Sequence, residues 1–208
     1  MHVLIPFKGF ESGKSRLSGF LENNERRALC DHLLRHTINL ALSVATKKTV
    51  HIVTSDSVAA SLARESAVNV IPDTTDDLNS ALETARRRLL HEQIERLLIL
   101  PIDLPFATAG LLGEVALKTA QLVIAPDATR RGTNLLLLSG DGLTLPFRFG
   151  ADSYAAHLAA ALSQQLDVIS IRDQRLAFDI DKPEHYKLWH ANRDRAIGPD
   201  FIFSINLD

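Results

Sequence analysis

The sequence predicts an α/β fold with three layers, a Rossmann-like arrangement in which helices cover both faces of a mostly parallel sheet. Short aliphatic runs alternate with segments of helical periodicity along most of the chain. The runs are as uniformly apolar as strands that are buried on both faces. The chain has 208 residues, of which 46% are hydrophobic and 23% charged, which is typical of one globular domain. We therefore expect residues 1–208 to form a single domain.

Seven aliphatic runs are predicted as strands. They are Val3–Pro6, Val50–Thr54, Val68–Ile71, Leu97–Leu100, Leu122–Ala125, Asn134–Leu138 and Val168–Ile171. Four segments between them carry apolar residues at helical spacing, namely residues 25–45, 77–91, 153–165 and 183–193. Asn24 is predicted to cap the first helix, and Pro183 suits the first turn of the last. The tail 194–208 is interpreted as an added edge strand or an oligomer contact, which leaves a homodimer open.

Composition and charge exclude several classes of function. A net charge of −2 offers no basic surface for nucleic acid. The sequence has no run of 18 apolar residues that could span a membrane, and its first residues read as a strand rather than as a signal peptide. The single cysteine, Cys30, excludes an internal disulfide and fits the reducing cytoplasm. These features favour a cytoplasmic protein with small-molecule partners.

Asp103 stands between Pro101 and Pro105, directly after the fourth predicted strand. Pro101 lacks a backbone donor and should end that strand. Asp103 would then lie just beyond the carboxyl end of the sheet, where open α/β folds bind their ligands. A carboxylate fixed there suits a metal ion that carries phosphates. A turn aspartate would look the same, so this segment alone leaves both interpretations open.

The loop after the first strand, residues 8–17, resembles a P-loop but lacks its spacing. Only three residues separate Gly9 from the pair Gly13-Lys14, whereas the Walker motif requires four. The loop nevertheless combines three cations, Lys8, Lys14 and Arg16, with glycines that let the backbone approach a ligand. It is either a phosphate-binding loop or a solvated basic loop.

Further polar segments follow other predicted strands or precede helices. Those segments are residues 77–79, 131–134, 149–153 and 178–184. In the last of them acidic and apolar residues alternate before a helix, and such alternation on a strand would place Asp179 and Asp181 on one face. A solvated edge strand would show the same pattern, so the alternation does not by itself identify a site.

Taken in order, these motifs resemble the 2-phospho-L-lactate guanylyltransferases of coenzyme F-420 biosynthesis. The matching residues are Pro6, Lys8, Lys14-Ser15-Arg16-Leu17, Arg26, Leu78-Asn79, Ala81-Leu82, Asp103-Leu104-Pro105, Gly132-Thr133-Asn134, Phe149-Gly150, Ser153, His157, Asp179-Ile180-Asp181 and Pro183-Glu184. The resemblance extends over roughly residues 3–190. Each motif is weak alone, but the ordered set is specific.

The resemblance implies a GT-A-like nucleotidyltransferase fold, related to the MobA-like enzymes of molybdenum-cofactor synthesis. The implied reaction joins GTP to a small phosphorylated carboxylic acid and releases pyrophosphate. The resemblance also implies a role for each matching residue. Nucleotide binding would involve Pro6, Lys8, Lys14, Arg16 and Asn79, and catalysis Lys14, Arg16 and Asp103. Mg²⁺ would bind to Asp103 with Asp179 or Asp181, and the acceptor to Thr133, Gly150 and Ser153.

Two departures from the family pattern concern the acceptor. Asp152 precedes Ser153 where the family often has glycine, and Arg131 replaces a common glycine before Gly132. An extra carboxylate would repel an anionic acceptor unless it faces away or Arg131 compensates it. The acceptor therefore stays open among 2-phospho-L-lactate, phosphoenolpyruvate and 3-phosphoglycerate.

Two other functions also stay open. One is a nucleotidyltransferase that acts on a different acceptor, such as a molybdopterin, although the chain lacks the Leu-Ala-Gly-Gly opening of that group. The other is a regulatory protein that binds a nucleotide without catalysis.

Overall fold

The computed structural model describes residues 1–195, which form one seven-stranded sheet between two helical layers. The strands are β1 (His2–Pro6), β2 (Val50–Thr54), β3 (Asn69–Pro72), β4 (Arg96–Ile99), β5 (Leu122–Pro126), β6 (Thr133–Ser139) and β7 (Val168–Ser170). The helices are α1 (Asn23–Val44), α2 (Ser57–Glu65), α3 (Leu78–Leu90), α4 (Ala109–Ala116), α5 (Ser153–Ser163), α6 (Gln174–Ala177) and α7 (Pro183–Asn192). Short 3₁₀ turns cover Ser15–Leu17, Lys47–Thr49 and Gly140–Thr144. The predicted three-layer α/β fold is confirmed, whereas most of the tail 194–208 lies outside the described residues.

All seven predicted strands are present, each within one residue of its predicted ends. Helices α2, α4 and α6 were not predicted. Asn24 was wrongly predicted as the cap of α1: the N-cap is Glu22, which forms a capping box with Glu25 and leaves Asn24 inside the first turn. None of the helices within residues 1–195 is long and apolar enough to cross a membrane.

The strand order is β3-β2-β1-β4-β6-β5-β7, and only β6 runs antiparallel to its neighbours. Alternate residues of the central strands enter opposite cores. In β4, Leu98 joins the core under α1 and α4, while Leu97 and Ile99 join the core under α3 and α5. Burial on both faces explains the continuous apolar runs, since each fully buried aliphatic side chain stabilises the fold by about 1.5–3 kcal/mol.

The topology brings the polar loops together at one edge of the sheet. Parallel strands β1, β2 and β4 end at this edge, and the antiparallel β6 begins there because Ile99 pairs with Leu136. The chain after β1 leads to α1 and β2 on one side, while β4 lies on the other. This change of direction opens a crevice, the usual ligand position of doubly wound sheets.

Candidate active site

Two adjoining clefts occupy this edge of the sheet. The smaller cleft has a volume of about 330 Å³ and is lined by Pro6 and the basic loop of residues 8–16. The larger cleft has a volume of about 690 Å³ and is lined by the loops around Thr133 and Gly150. Arg16, Asp103 and Asp181 line both clefts. Two ligands bound side by side would therefore meet at these charged groups.

Lys14 lies between the carboxylates where the clefts meet. Its ammonium Nζ is 3.0 Å from Asp103 Oδ2 and 3.5 Å from Asp181 Oδ1. Arg16 reaches the other oxygen of Asp181 at 2.5 Å. The Lys14 side chain is only 6% exposed, whereas that of Arg16 is 75% exposed. Lys14 is therefore a buried part of the site, and Arg16 is an exposed cation at its entrance.

The charges of the cluster shift one another's titration. Burial lowers the pKa of Lys14, but the nearby Asp103 and Asp181 outweigh this effect and raise it overall. Burial raises the pKa of Asp179 to about 7, and the neighbouring carboxylates of Asp103 and Asp181 add to the rise. Lys14 and the three aspartates therefore form one cluster of interacting charges.

The donor set fits Mg²⁺. Oxygen ligands from carboxylates are the ones that Mg²⁺ prefers, and it is usually held by one or two carboxylates together with substrate phosphates. Asp103 and Asp181 already share one cationic group, the Lys14 ammonium. Within residues 1–195 no group of three or more His, Cys, Asp or Glu side chains has the arrangement of a metal site. The donors thus suit an ion that arrives with the phosphates of a nucleotide.

The backbone of the basic loop is held by buried contacts. The Arg26 guanidinium, on α1, donates to the carbonyls of Glu11 and Gly13 at 3.2 and 2.7 Å. A Cβ on Gly13 would lie 2.7 Å from the Gly9 carbonyl oxygen and 2.8 Å from Cys30 Sγ, so only glycine fits. The loop is therefore held by α1 on one side, while its cations line the smaller cleft on the other.

The larger cleft is closed on one side by the start of α5. Gly150 has φ 129°, a conformation that side-chain-bearing residues rarely adopt, and it turns the chain into the helix. Ser153 opens α5 and is almost fully buried at the cleft. Thr133, the first residue of β6, faces it across the cleft lining, and its hydroxyl is 3.0 Å from His157 Nδ1. Hydroxyls and a helix N-terminus suit an anionic ligand.

Comparisons with known proteins identify the family of this chain. The family model described as "Guanylyl transferase CofC like" matches residues 1–195. The chain belongs to this family. It is 36% identical over 195 residues to a phosphoenolpyruvate guanylyltransferase of Chloroflexus aggregans, covering 91% of this chain and 96% of that one. It is 26% identical to a 3-phospho-D-glycerate guanylyltransferase of Colwellia psychrerythraea, covering 90% of each.

A solved structure supports the fold. The putative nucleotide-diphospho-sugar transferase of Desulfovibrio desulfuricans G20 superposes with a TM-score of 0.66 at 16% identity, covering 82% of this chain and 80% of that one. The GT-A-like fold implied by the sequence motifs is confirmed by this likeness. The predicted enzyme class is confirmed by the family match and by the curated relatives. The chain is a guanylyl transferase.

Most site residues predicted for this transferase line the two clefts. The smaller cleft contains Pro6, Lys8, Lys14 and Arg16, the larger contains Thr133, Gly150, Ser153 and Asp179, and both contain Asp103 and Asp181. Asn79 lies in the lining of neither cleft. Its amide donates to the Phe149 carbonyl at 2.9 Å and accepts from the Phe149 N–H at 2.7 Å. Asn79 thus joins α3 to the loop that contains Phe149 and Gly150, and base reading by Asn79 stays a prediction.

The alternation around Asp179 and Asp181 does not form a strand. Residues 178–182 form no regular structure, although both aspartates reach the larger cleft. The Ile180 N–H donates to the Asp103 carbonyl at 3.1 Å, which holds this segment against the turn after β4. The side chains on either side of Ile180 face the cleft because Ile180 itself is fully buried in the core.

Arg131 and Asp152, the two residues that depart from the family pattern, form an ion pair. Arg131 Nε lies 2.8 Å from Asp152 Oδ1, and both side chains are mainly exposed at the rim of the larger cleft. A hydrogen bond and the charge of Arg131 lower the pKa of Asp152, while Asp152 raises that of Arg131. The extra carboxylate is therefore compensated by the extra guanidinium.

Several residues that shape the site were missed by sequence reasoning. Asp127 lines the larger cleft, and its carboxylate accepts the Arg131 N–H at 2.9 Å. Asp56, the N-cap of α2, accepts the Phe10 N–H of the basic loop at 3.0 Å. A polar residue directly after a predicted strand was the available signal for both, since β2 ends at Thr54 and β5 at Pro126.

Proposed function

We propose that this transferase moves the guanylyl group of GTP to a small phosphorylated carboxylic acid and releases pyrophosphate, as a step of coenzyme F-420 biosynthesis. The observation that carries the proposal is the meeting of a cationic cleft and a hydroxyl-lined cleft at Asp103 and Asp181. Phosphoenolpyruvate is the acceptor that we propose first, because the relative at 36% identity bears that name and the relative at 26% is named for 3-phospho-D-glycerate.

The nucleotide triphosphate occupies the smaller cleft in this proposal. Lys14 and Arg16 neutralise its phosphates, and Lys8 adds a third cation at the opening. Mg²⁺ bound to Asp103 and Asp181 would neutralise further charge on the phosphate oxygens. The acceptor lies in the larger cleft, where Thr133, Ser153 and the backbone at Gly150 hold its phosphate and carboxylate.

The chemical step needs no nucleophilic side chain. An oxygen of the acceptor phosphate attacks the α-phosphorus of GTP, one P–O bond forms, and the bond from the α-phosphorus to the pyrophosphate oxygen breaks. The attacking phosphate is already ionised near pH 7, since its second pKa is about 6, so no proton has to be removed. The main obstacle is repulsion between anions, and Lys14 and Arg16 reduce it while the two clefts fix the line of attack.

The test is a panel of acceptors incubated with GTP and Mg²⁺. Phosphoenolpyruvate, 2-phospho-L-lactate and 3-phosphoglycerate are assayed separately for pyrophosphate release, and the products are identified by mass spectrometry. Guanylylated phosphoenolpyruvate as the best product supports the proposal. CTP in place of GTP is the matched control for the nucleotide. Absence of pyrophosphate release with all three acids would overturn the acceptor class and favour the molybdenum-cofactor type or a regulatory role.

We further propose a cytoplasmic location. Cys30 is buried and unpaired, which suits a reducing compartment.

A further inference from the structure

His157 lies entirely inside the protein behind the acceptor cleft, with no exposed surface. Its ring packs edge-on against Phe149 at 5.1 Å between centroids. Both ring nitrogens have partners. Nε2 is 2.9 Å from the backbone nitrogen of Arg148, and Nδ1 is 3.0 Å from the Thr133 hydroxyl oxygen. No proposed step of the reaction uses this histidine.

The contact with Arg148 determines where the ring carries its proton. A backbone N–H can only donate, so Nε2 must be the accepting, unprotonated nitrogen. A neutral imidazole then carries its proton on Nδ1. Burial lowers the pKa of His157 to about 4, so the ring is neutral near pH 7.

The protonated Nδ1 in turn orients the Thr133 hydroxyl. The Nδ1 proton lies within reach of two acceptors, the Ser153 carbonyl and the Thr133 hydroxyl oxygen. A protonated Nδ1 offers no lone pair to Thr133, so the Thr133 hydroxyl cannot donate to the ring and its own hydrogen is left for another partner. Among residues 1–195, His157 is the hydrogen-bond partner of the Thr133 hydroxyl. Thr133 lines the larger cleft, so the free hydrogen has an anion-binding space beside it. With the opposite tautomer, Thr133 would donate to the ring and present lone pairs to the acceptor.

We infer that His157 is a positioning residue that fixes Thr133 as a hydrogen-bond donor to the phosphate or carboxylate of the acceptor. The inference rests on the proposed function, because it assigns a role in binding the acceptor and none in binding GTP. A chain of hydrogen bonds leads from the Arg148 N–H through the imidazole to the Thr133 hydroxyl, which in turn donates to the acceptor anion. A bond to a charged group is stronger than a neutral one, so its loss should be measurable.

Two substitutions separate the two ends of the ring. His157→Gln places its amide near the Nε2 position, so it can accept from Arg148 but does not reach Thr133. His157→Asn places its amide near Nδ1, so it can still donate to Thr133. We expect His157→Gln to raise the acceptor KM about ten- to hundredfold and His157→Asn to raise it by less than about threefold. The GTP KM should stay within about twofold of wild type in both.

Coupling to Thr133 distinguishes positioning from a structural role. Thr133→Val should raise the acceptor KM as His157→Gln does, and Thr133→Ser should retain wild-type KM. The double variant Thr133→Val/His157→Gln should be no worse than Thr133→Val, because no hydroxyl remains to be oriented. Additive effects, or equal rises in the GTP KM, would overturn the inference.

A measurement without turnover tests the tautomer directly. In the wild-type transferase labelled with ¹⁵N-histidine, the His157 ring should show a protonated Nδ1 and an unprotonated Nε2 at pH 7 by NMR. A protonated Nε2 would refute the inference even if the acceptor assay succeeds. Failure of wild type to guanylylate any acceptor would instead refute the proposed function, since the tautomer would be unaffected.

Discussion

The smaller and the larger cleft both receive phosphate groups in the proposed reaction, yet their linings are built from different chemistry. The smaller cleft relies on full charges, with Lys14 held 3.0 Å from Asp103. The larger cleft shares Arg16, Asp103 and Asp181 with the smaller one and adds neutral groups, namely the Thr133 and Ser153 hydroxyls and the start of α5. Two further charged residues of its lining, Arg131 and Asp152, pair with each other at the rim. The comparison suggests that charge drives the chemistry on one side, while hydrogen-bond geometry selects the acceptor on the other.

The largest effect should come from the residue that both clefts share. Asp103→Asn keeps the shape of the side chain but removes its negative charge, so kcat should fall by about two to three orders of magnitude. Pyrophosphate release at saturating GTP and acceptor measures it, and thermal unfolding should show an intact fold. Wild-type turnover with Mg²⁺ would contradict the metal role of Asp103.

Removing a positive charge from the smaller cleft should change the kinetics with GTP but not the KM for the acceptor. Lys14→Ala leaves Asp103 and Asp181 without their shared cation, so kcat/KM for GTP should fall by about a hundredfold. The acceptor KM, measured at saturating GTP, should change by less than about threefold. Arg35→Ala is the matched control, since Arg35 is an exposed cation paired with Asp31 on α1. An equal rise of both KM values would abolish the proposed division between the clefts.

His157, behind the larger cleft, should make the stability of the protein depend on acid. The pKa of His157 is about 4 in the folded protein and near 6.5 when unfolded, so its contribution to stability is complete above pH 6.5 and is lost as the pH falls toward 4. Between pH 7 and pH 5, His157→Asn should lose about 2 kcal/mol less free energy of unfolding than wild type. Urea denaturation at each pH measures the difference. Parallel curves for the two proteins would contradict a neutral, buried His157.

The smallest effect concerns the ion pair at the rim. Arg131→Ala exposes the acceptor to an uncompensated Asp152, which should raise the acceptor KM about three- to tenfold. The double variant Arg131→Ala/Asp152→Ala removes both charges and should return the KM to near the wild-type value. Steady-state kinetics with phosphoenolpyruvate measures both. If the double variant stays as weak as Arg131→Ala, then Arg131 contacts the acceptor itself rather than compensating Asp152.

The fold was predictable where one local signal dominated. Each strand was recognised because burial on both faces makes it uniformly apolar, as in Leu97–Leu100. Helix α4 was missed because Gly110 and Gly113 lower its helix propensity and its short length hides the periodicity. Helices α2 and α6 are also short, with nine and four residues. Their stability comes from packing against the sheet, which the local sequence does not display.

The site was predictable as a set of residues but not as a set of contacts. Motif order identified Lys14, Asp103 and Asp181, which the structure brings within 3.5 Å of one another through Lys14 Nζ. Compensation of Asp152 by Arg131 was one of two alternatives at the sequence level, and only the distance between the two side chains decides for it. The tautomer of His157 could not be derived either, because it is set by a backbone donor in another segment.

The hydrogen bond from Ile180 to Asp103 has a consequence for incomplete chains of the enzyme. Asp103 leaves the ribosome well before Asp181, and the bond at 3.1 Å joins the turn after β4 to a segment close to the carboxyl terminus of the described chain. A nascent chain that stops before Asp179 has the basic loop and Asp103 but lacks the second source of carboxylates. Proteolysis or premature termination before Asp179 should therefore give a fragment without transferase activity rather than a weakened enzyme.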